Sequence, residues 1–170
     1  MTGPEARERV QTLLMNTAAP VLQSDGVEYS PRKQGAGLAN VGHAVTTPVW
    51  LTVNGSELPK AELGDDPEET GIYEFSFTAY NESDTAQSYW AEASLLTETA
   101  GNGLMLQKAR KLDAEVTFAS VGGTPGGGDA ASTAVLVTVP AQGETQVTVR
   151  IKLTEAEKKA LRETFENGIY

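Results

Sequence analysis

Val135-Leu136-Val137-Thr138-Val139-Pro140-Ala141-Gln142-Gly143-Glu144-Thr145-Gln146-Val147-Thr148-Val149-Arg150-Ile151-Lys152-Leu153 is the stretch that decides the fold class. Val135, Val137 and Val139 alternate with Leu136 and Thr138 up to Pro140. After the turn Ala141 to Glu144, Val147, Val149, Ile151 and Leu153 alternate with Thr148, Arg150 and Lys152. A strict period of two places successive side chains on opposite faces of a strand. Two such runs joined by a short polar turn predict a hairpin with one wet face.

Upstream the same period recurs. Tyr73, Phe75, Phe77 and Ala79 point one way and Glu74, Ser76 and Thr78 the other, before a turn at Asn81-Glu82-Ser83-Asp84. Tyr89, Ala91, Ala93 and Leu95 then predict the returning strand. Weaker strands are expected near Leu104 to Leu106 and Val116 to Ala119, with a flexible glycine-rich loop from Val121 to Asp129. The period-two pattern begins at Trp50. Six or seven short strands separated by turns predict a mainly β chain, an immunoglobulin or fibronectin type III-like β-sandwich.

The two ends read as helical. Thr2 and Glu5 form a capping-box pattern with Pro4 in the first turn, and Ala6, Val10, Leu13 and Leu14 give an apolar stripe on a helix from about Pro4 to Asn16. Ala18-Ala19-Pro20 stops it. Residues 24–42 are rich in Gly, Ser and Asn without a clear period. Thr154 and Glu157 form a second capping-box pattern before a short charged helix through about Glu163. The chain therefore divides into an N-terminal helix-plus-loop segment, 1–45, and a sandwich, 46–170.

The chain has 170 residues, 13 Lys and Arg against 23 Asp and Glu, and a formal charge of −10. That charge repels nucleic acid and anionic membrane surfaces, so no nucleic-acid partner is expected. No apolar run approaches the ~20 residues that span a bilayer, so no membrane insertion is expected, and the polar start at Met1-Thr2-Gly3 is no signal peptide. With no cysteine, neither a disulfide nor a thiolate metal site can form.

Catalytic chemistry finds little support. Serine hydrolysis needs a base beside the nucleophile and a third group to orient it. His43 is the single histidine, and no Gly-x-Ser-x-Gly elbow occurs. His43 therefore reads as a packing or exposed residue. Asp65, Asp66, Glu68 and Glu69 have the oxygens Ca²⁺ prefers, but Gly64, Pro67 and Gly71 make a solvated turn the better reading. The glycine loop lacks the Lys-Ser/Thr ending of a phosphate cradle. Asn54-Gly55-Ser56 and Asn81-Glu82-Ser83 match the glycosylation triplet, which is common by chance. Trp50, Trp90 and the tyrosines suit either a carbohydrate face or, the better reading, core packing. Catalytic, cofactor-binding and metal-ligating residues are thus all expected to be none, with no cofactor.

One resemblance covers nearly the whole chain. Leu13-Leu14-Met15-Asn16-Thr17-Ala18, followed by Tyr29-Ser30-Pro31-Arg32-Lys33-Gln34-Gly35-Ala36-Gly37-Leu38-Ala39-Asn40-Val41, resembles the end of a subtilisin-type serine protease catalytic domain. Gly64-Asp65-Asp66, Phe75-Ser76-Phe77-Thr78, Asn81 to Asp84 and Val139-Pro140-Ala141 resemble the fibronectin type III-like domain that follows it in cell-envelope proteinases. These include streptococcal complement-cleaving peptidases and lactic-acid-bacterial caseinases. The family's catalytic aspartate, histidine and serine motifs are absent, so no catalytic residue carries over. The resemblance implies a noncatalytic accessory module of a secreted or cell-surface endopeptidase. Its partners would be the parent's own catalytic domain and, in the intact enzyme, protein substrate. It also implies that Phe165 to Tyr170 leads into a further strand, so the sandwich is expected to lack its last one. The alternative from another class is an independent adhesion or carbohydrate-binding module.

Overall fold

The computed structural model describes residues 3–56, 58–100, 106–121 and 134–164. The elements run α1 (Gly3–Asn16), α2 (Pro31–Gln34), α3 (Val41–Thr46), β1 (Val49–Val53), β2 (Ile72–Asn81), β3 (Gln87–Glu92), β4 (Leu96–Ala100), β5 (Leu106–Lys111), β6 (Ala114–Val121), β7 (Ala134–Val139), β8 (Gly143–Leu153) and α4 (Glu155–Thr164). The chain is mainly β, and every strand pairing is antiparallel. One sheet has the order β1-β2-β8-β6, and β3 with β7 and β4 with β5 form two further pairs.

The period-two readings place the right faces inward. Val147, Val149 and Leu153 are buried along β8, as are Val137 and Val139 on β7. Ala79, Val137, Val139 and Val147 make one cluster, onto which Val49, Leu51, Phe77, Ala91, Phe118 and Val135 pack. The β3–β7 pair therefore lies against the four-stranded sheet with the apolar faces between them.

The predicted hairpins do not form. β7 pairs with β3, with Trp90 opposite Leu136, whereas β8 pairs with β2 and β6. The strands on either side of Pro140 thus belong to different layers, and so do β2 and β3. Alternation fixes which face of a strand is buried, and Val137 and Val147 satisfy it by meeting across the core instead of lying side by side.

A single buried side chain joins the two crossings. Asn81 Nδ2 donates to the carbonyls of Thr85 (2.8 Å), Val139 (3.2 Å) and Pro140 (3.0 Å). Its Oδ1 accepts from the Ser83 backbone N–H and hydroxyl. The Gln142 backbone N–H donates to Ser83, and its side chain to the Glu82 carbonyl and Asp84. The β2–β3 and β7–β8 corners are therefore locked together, which favours layer crossing over local hairpins.

Other boundaries shift. The strand expected over Tyr89 to Leu95 ends at Glu92, and β4 begins separately at Leu96. Of the strand expected near Leu104 to Leu106, only Leu106 is described, and it opens β5. Val121, read as the start of the glycine loop, ends β6 instead, and Thr2 and the rest of that loop, Gly122 to Asp129, lie outside the described residues. At α4 half of the expected capping box is made: Thr154 Oγ1 accepts from the Glu157 N–H at 3.2 Å. The Glu157 carboxylate turns away, to Arg110 at 2.8 and 3.1 Å and to the Asp113 N–H at 3.3 Å. It ties α4 to the β5–β6 connection, and the Arg110 guanidinium is the main reason its carboxyl is held below the usual range.

Candidate docking face of the N-terminal segment

Residues 3–46 reach the strands through polar side chains. β1 lies at the edge of its sheet, and an edge strand presents unpaired N–H and C=O groups. Asn16, the last residue of α1, fills that role: its Oδ1 accepts from the Leu51 N–H and its Nδ2 donates to the Leu51 carbonyl, both at 3.0 Å. One carboxamide thereby reproduces a rung of a β-ladder. The Thr47 hydroxyl donates to the Val49 carbonyl and accepts from the Val49 N–H, and the Val53 N–H donates to the Leu58 carbonyl. Gln23 repeats the device on β5, where its carboxamide brackets Ala109 at 3.0 and 3.2 Å. The Ser30 hydroxyl donates to buried Glu98 on β4 at 2.5 Å, with Lys33 Nζ 3.7 Å from the same oxygen.

Trp50 contributes a second anchor. Its ring stacks on Tyr80 with centroids 4.3 Å apart, and the Arg9 guanidinium of α1 lies over it at 3.8 Å. Arg9 also reaches Glu82 at 2.7 Å, and Trp50 Nε1 donates to that carboxylate at 3.3 Å. α1 is therefore fixed to the strands by its Arg9 and Asn16 side.

Another side of α1 is open. Ala6, Val10 and Leu14, with Ala18, Ala36 and Ala39, line a shallow, mostly apolar groove of about 660 Å³. Val10 is 56% exposed, and Leu38, Val41 and Val45 are 64–76% exposed. Among the described residues of this segment, Thr12, Gln23, Ser30 and Ala44 are buried, three of them polar. Val10, Val21, Leu22, Leu38, Val41 and Val45 are exposed, whereas the polar Thr12, Gln23 and Ser30 are buried. Of the predicted stripe, Leu13 and Leu14 are half-buried and Val10 is not.

The quoted Gly-x-Gly-Leu-x-Asn run has local reasons for its residues. Gly37 has φ +111° and sits where Leu38 and Ala19 exchange backbone hydrogen bonds, at 2.8 and 2.9 Å; a Cβ there would collide with the Ala19 carbonyl. Asn40 caps α3, its Oδ1 accepting from the His43 N–H at 3.0 Å. His43 itself is exposed.

The remaining sequence-stated candidates separate in space. The Asp66 carboxylate accepts from the Gly71 N–H at 2.7 Å and from the Thr70 N–H and hydroxyl, and these bonds hold its pKa below the ordinary range, the Gly71 bond most of all. Glu69 pairs with Arg162 of α4. The acidic run thus builds its own turn, and no group of three or more His, Asp or Glu side chains among the described residues is arranged to hold a metal. Asn54 accepts from Thr78 Oγ1 at 2.8 Å in an exposed turn, whereas Asn81 is 2% exposed and fully engaged. Trp90 overturns the core reading: it is 72% exposed, because its position on β3 turns it away from the four-stranded sheet. No described helix is long and apolar enough to cross a membrane.

Nothing in the sequence marked Asn16 or Gln23 as edge caps, since each partner lies 35 or 86 residues away. Comparison with known proteins supplies what geometry lacks. The chain is similar to part of C5a peptidase. It is 25% identical to C5a peptidase of Streptococcus pyogenes serotype M1, to that of serotype M6 (strain ATCC BAA-946 / MGAS10394) and to that of serotype M18 (strain MGAS8232), across 100% of this chain in each case. It spans 13% of the length of each C5a peptidase. No protein-family model matches it. The likeness to C5a peptidase supports a region associated with a peptidase.

Proposed function

We propose that this chain is a noncatalytic accessory region of a cell-surface, subtilisin-type serine endopeptidase. In this reading residues 1–45 complete the end of the catalytic domain, and residues 46–170 form a fibronectin type III-like sandwich that buttresses it. The observation that carries the reading is that in residues 3–46 the polar Thr12, Gln23 and Ser30 are buried while the apolar Val10, Leu38, Val41 and Val45 are exposed. An apolar face of this kind is stabilised by covering it, and the exposed side chains stand in and beside the stretch that most resembles the end of a subtilisin-type domain. The whole-chain likeness to C5a peptidase supports the same parent. A rigid support can also hold long protein substrates in register, so that binding far from the reacting bond contributes to orientation.

The test is to replace the exposed Val10 and Leu38 with Asp in the intact protease encoded by the parent reading frame. The protease should lose thermal stability and activity toward casein, while the chain alone, carrying the same changes, keeps its own unfolding midpoint. An intact protease indifferent to both substitutions would overturn the docking. Peptidase activity of the chain alone, surviving repurification, would overturn the noncatalytic assignment.

Exposed Trp90 favours a second reading, an adhesion or carbohydrate-binding module. Glycan-array binding that Trp90→Ala removes from a folded chain would select it.

A further inference from the structure

Three asparagines of the chain precede glycine, Asn54, Asn102 and Asn167, and of these only Asn54 lies among the described residues. An asparagine side chain before glycine can close a five-membered ring with the next backbone nitrogen, because no Cβ on the glycine blocks the approach. Folding decides which side chains are free to do so. Asn16, Asn40 and Asn81 precede the larger Thr17, Val41 and Glu82. The Asn16 and Asn81 carboxamides are also held through both oxygen and nitrogen, and Asn40 Oδ1 caps α3.

Asn54 and Gly55 are exposed at the tip of the turn Val53-Asn54-Gly55-Ser56, which the Ser56 N–H closes on the Val53 carbonyl at 2.9 Å. Gly55 takes the third position at φ +82°, and a Cβ on it would meet nothing within 4 Å. Among the described residues, nothing bonds the Asn54 carbonyl or the Gly55 N–H. Rotating that peptide unit therefore breaks no hydrogen bond and can carry the Gly55 nitrogen toward Asn54 Cγ. Asn54 Oδ1 accepts from Thr78 Oγ1 at 2.8 Å, while Nδ2 has no partner among the described residues, so the group that must leave is uncommitted. An open polar hollow of about 520 Å³, whose lining includes Ser56, Lys60, Glu62 and Glu74, gives water access. Asp25-Gly26 could close the same ring, but its Gly26 N–H donates to the Gln23 carbonyl at 3.0 Å and its Asp25 Oδ1 accepts from the Val27 N–H.

We propose that Asn54 is a site of spontaneous backbone modification. The Gly55 nitrogen gives its proton to solvent base and bonds to Cγ; the Cγ–Nδ2 bond breaks, and ammonia leaves after taking a proton from solvent. Water then opens the ring. Cleavage at Cγ leaves aspartate, and cleavage at the backbone carbonyl carbon leaves isoaspartate, whose main chain runs through the side-chain carbons. The sum is asparagine and water giving ammonia and a carboxylic acid, which ionises and adds a negative charge. Isoaspartate also lengthens the turn by one backbone atom, beside the bonds that end β1: Val53 N–H to the Leu58 carbonyl at 3.1 Å and Asn54 N–H to that of Ser76 at 2.8 Å. The end of β1 is thereby loosened. The inference goes beyond the protease reading and stands independently of it.

The test keeps the full chain in warm, mildly alkaline buffer made with heavy-oxygen water, then maps its peptides by a fragmentation that separates aspartate from isoaspartate. Both products, labelled with heavy oxygen, are expected at position 54, with Asn16, Asn40 and Asn81 unchanged. Asn102 and Asn167 are mapped separately. Gly55→Ala should slow the loss of Asn54 at least about tenfold. Alanine is strained at this φ, so Asn54→Gln serves beside it: the ring would be larger by one atom, and the side chain should stay an amide. In the isoaspartate form, isolated by ion exchange, the Val53 and Ser56 amides should exchange about tenfold faster while those of β2 and β8 keep their protection. Unchanged exchange there would overturn the loosening of β1. Asn54 left intact in the folded chain, while a free peptide of residues 51–58 converts in the same buffer, would overturn the site itself. So would an equal rate in Gly55→Ala, or conversion of Asn54 no faster than that of Asn16.

Discussion

Residues 49–153 and residues 3–46 are held by opposite means. In the strands, Val137, Val139 and Val147 close a dry core, and the polar Asn81 serves the corners where the chain changes layer. In the N-terminal segment, Asn16, Gln23 and Ser30 make the attachments, while Val10, Leu38, Val41 and Val45 face outward. Burial of apolar surface is nondirectional and grows with area, whereas hydrogen bonds to strand edges fix position but contribute little net free energy each. The core is therefore expected to fold cooperatively on its own terms, and the segment to be placed accurately but held weakly.

The largest expected effect breaks the core's side of this contrast. Asn81→Ala removes the amide contacts to the Thr85, Val139 and Pro140 carbonyls, the Val139 one buried, and should cost about 3 kcal/mol, read as a lower urea midpoint with faster exchange at residues 82–86 and 140–143. A variant that unfolds at the original midpoint would show that the corners hold without it. The next effect breaks the segment's side. Asn16→Ala combined with Gln23→Ala should cost about 2 kcal/mol and make residues 3–46 the first target of limited proteolysis, while the β2 and β8 amides stay protected. Simultaneous loss of both regions would erase the distinction.

Acid sharpens the contrast from another direction. Asp66 and Glu157 have carboxyls depressed in the folded chain, so the unfolded chain binds protons first as pH falls. Their contribution is complete above about pH 5 and is lost as pH falls through the folded-state pKa values. Glu157→Gln should flatten that part of a stability-versus-pH curve and cost about 1 kcal/mol at neutral pH, since its partner Arg110 is only part-buried. A curve of unchanged shape would assign the acid sensitivity elsewhere. The smallest effect is predicted for Val10→Asp, within about 0.5 kcal/mol in the chain alone, because Val10 touches little that is buried.

Much of the fold was legible. The strands through Phe75, Val137 and Val149 follow from alternation, α1 from its periodicity and α4 from its Thr154 cap. The pairing of those strands was not, because alternation constrains faces and is silent about edges. The crossing at Pro140 depends on Asn81, which is 58 and 59 residues from the carbonyls it holds. The candidate docking face was half legible: the stripe of Ala6, Val10 and Leu14 is visible in the sequence, but which side of it stays open depends on where Arg9 and Asn16 attach. Trp90 was misread for a related reason, since a strand rich in apolar residues on both faces gives no sign of which face meets a second layer.

By itself the sequence determined the β class, the helical ends, the absence of cysteine chemistry and the strong negative charge, all of which depend on composition and on contacts within a few residues. Only the tertiary structure decided which layer each strand joined, which edges were closed by side-chain amides and which apolar faces remained uncovered. Those outcomes rest on hydrogen bonds and packing between residues tens of positions apart, where local periodicity carries no information.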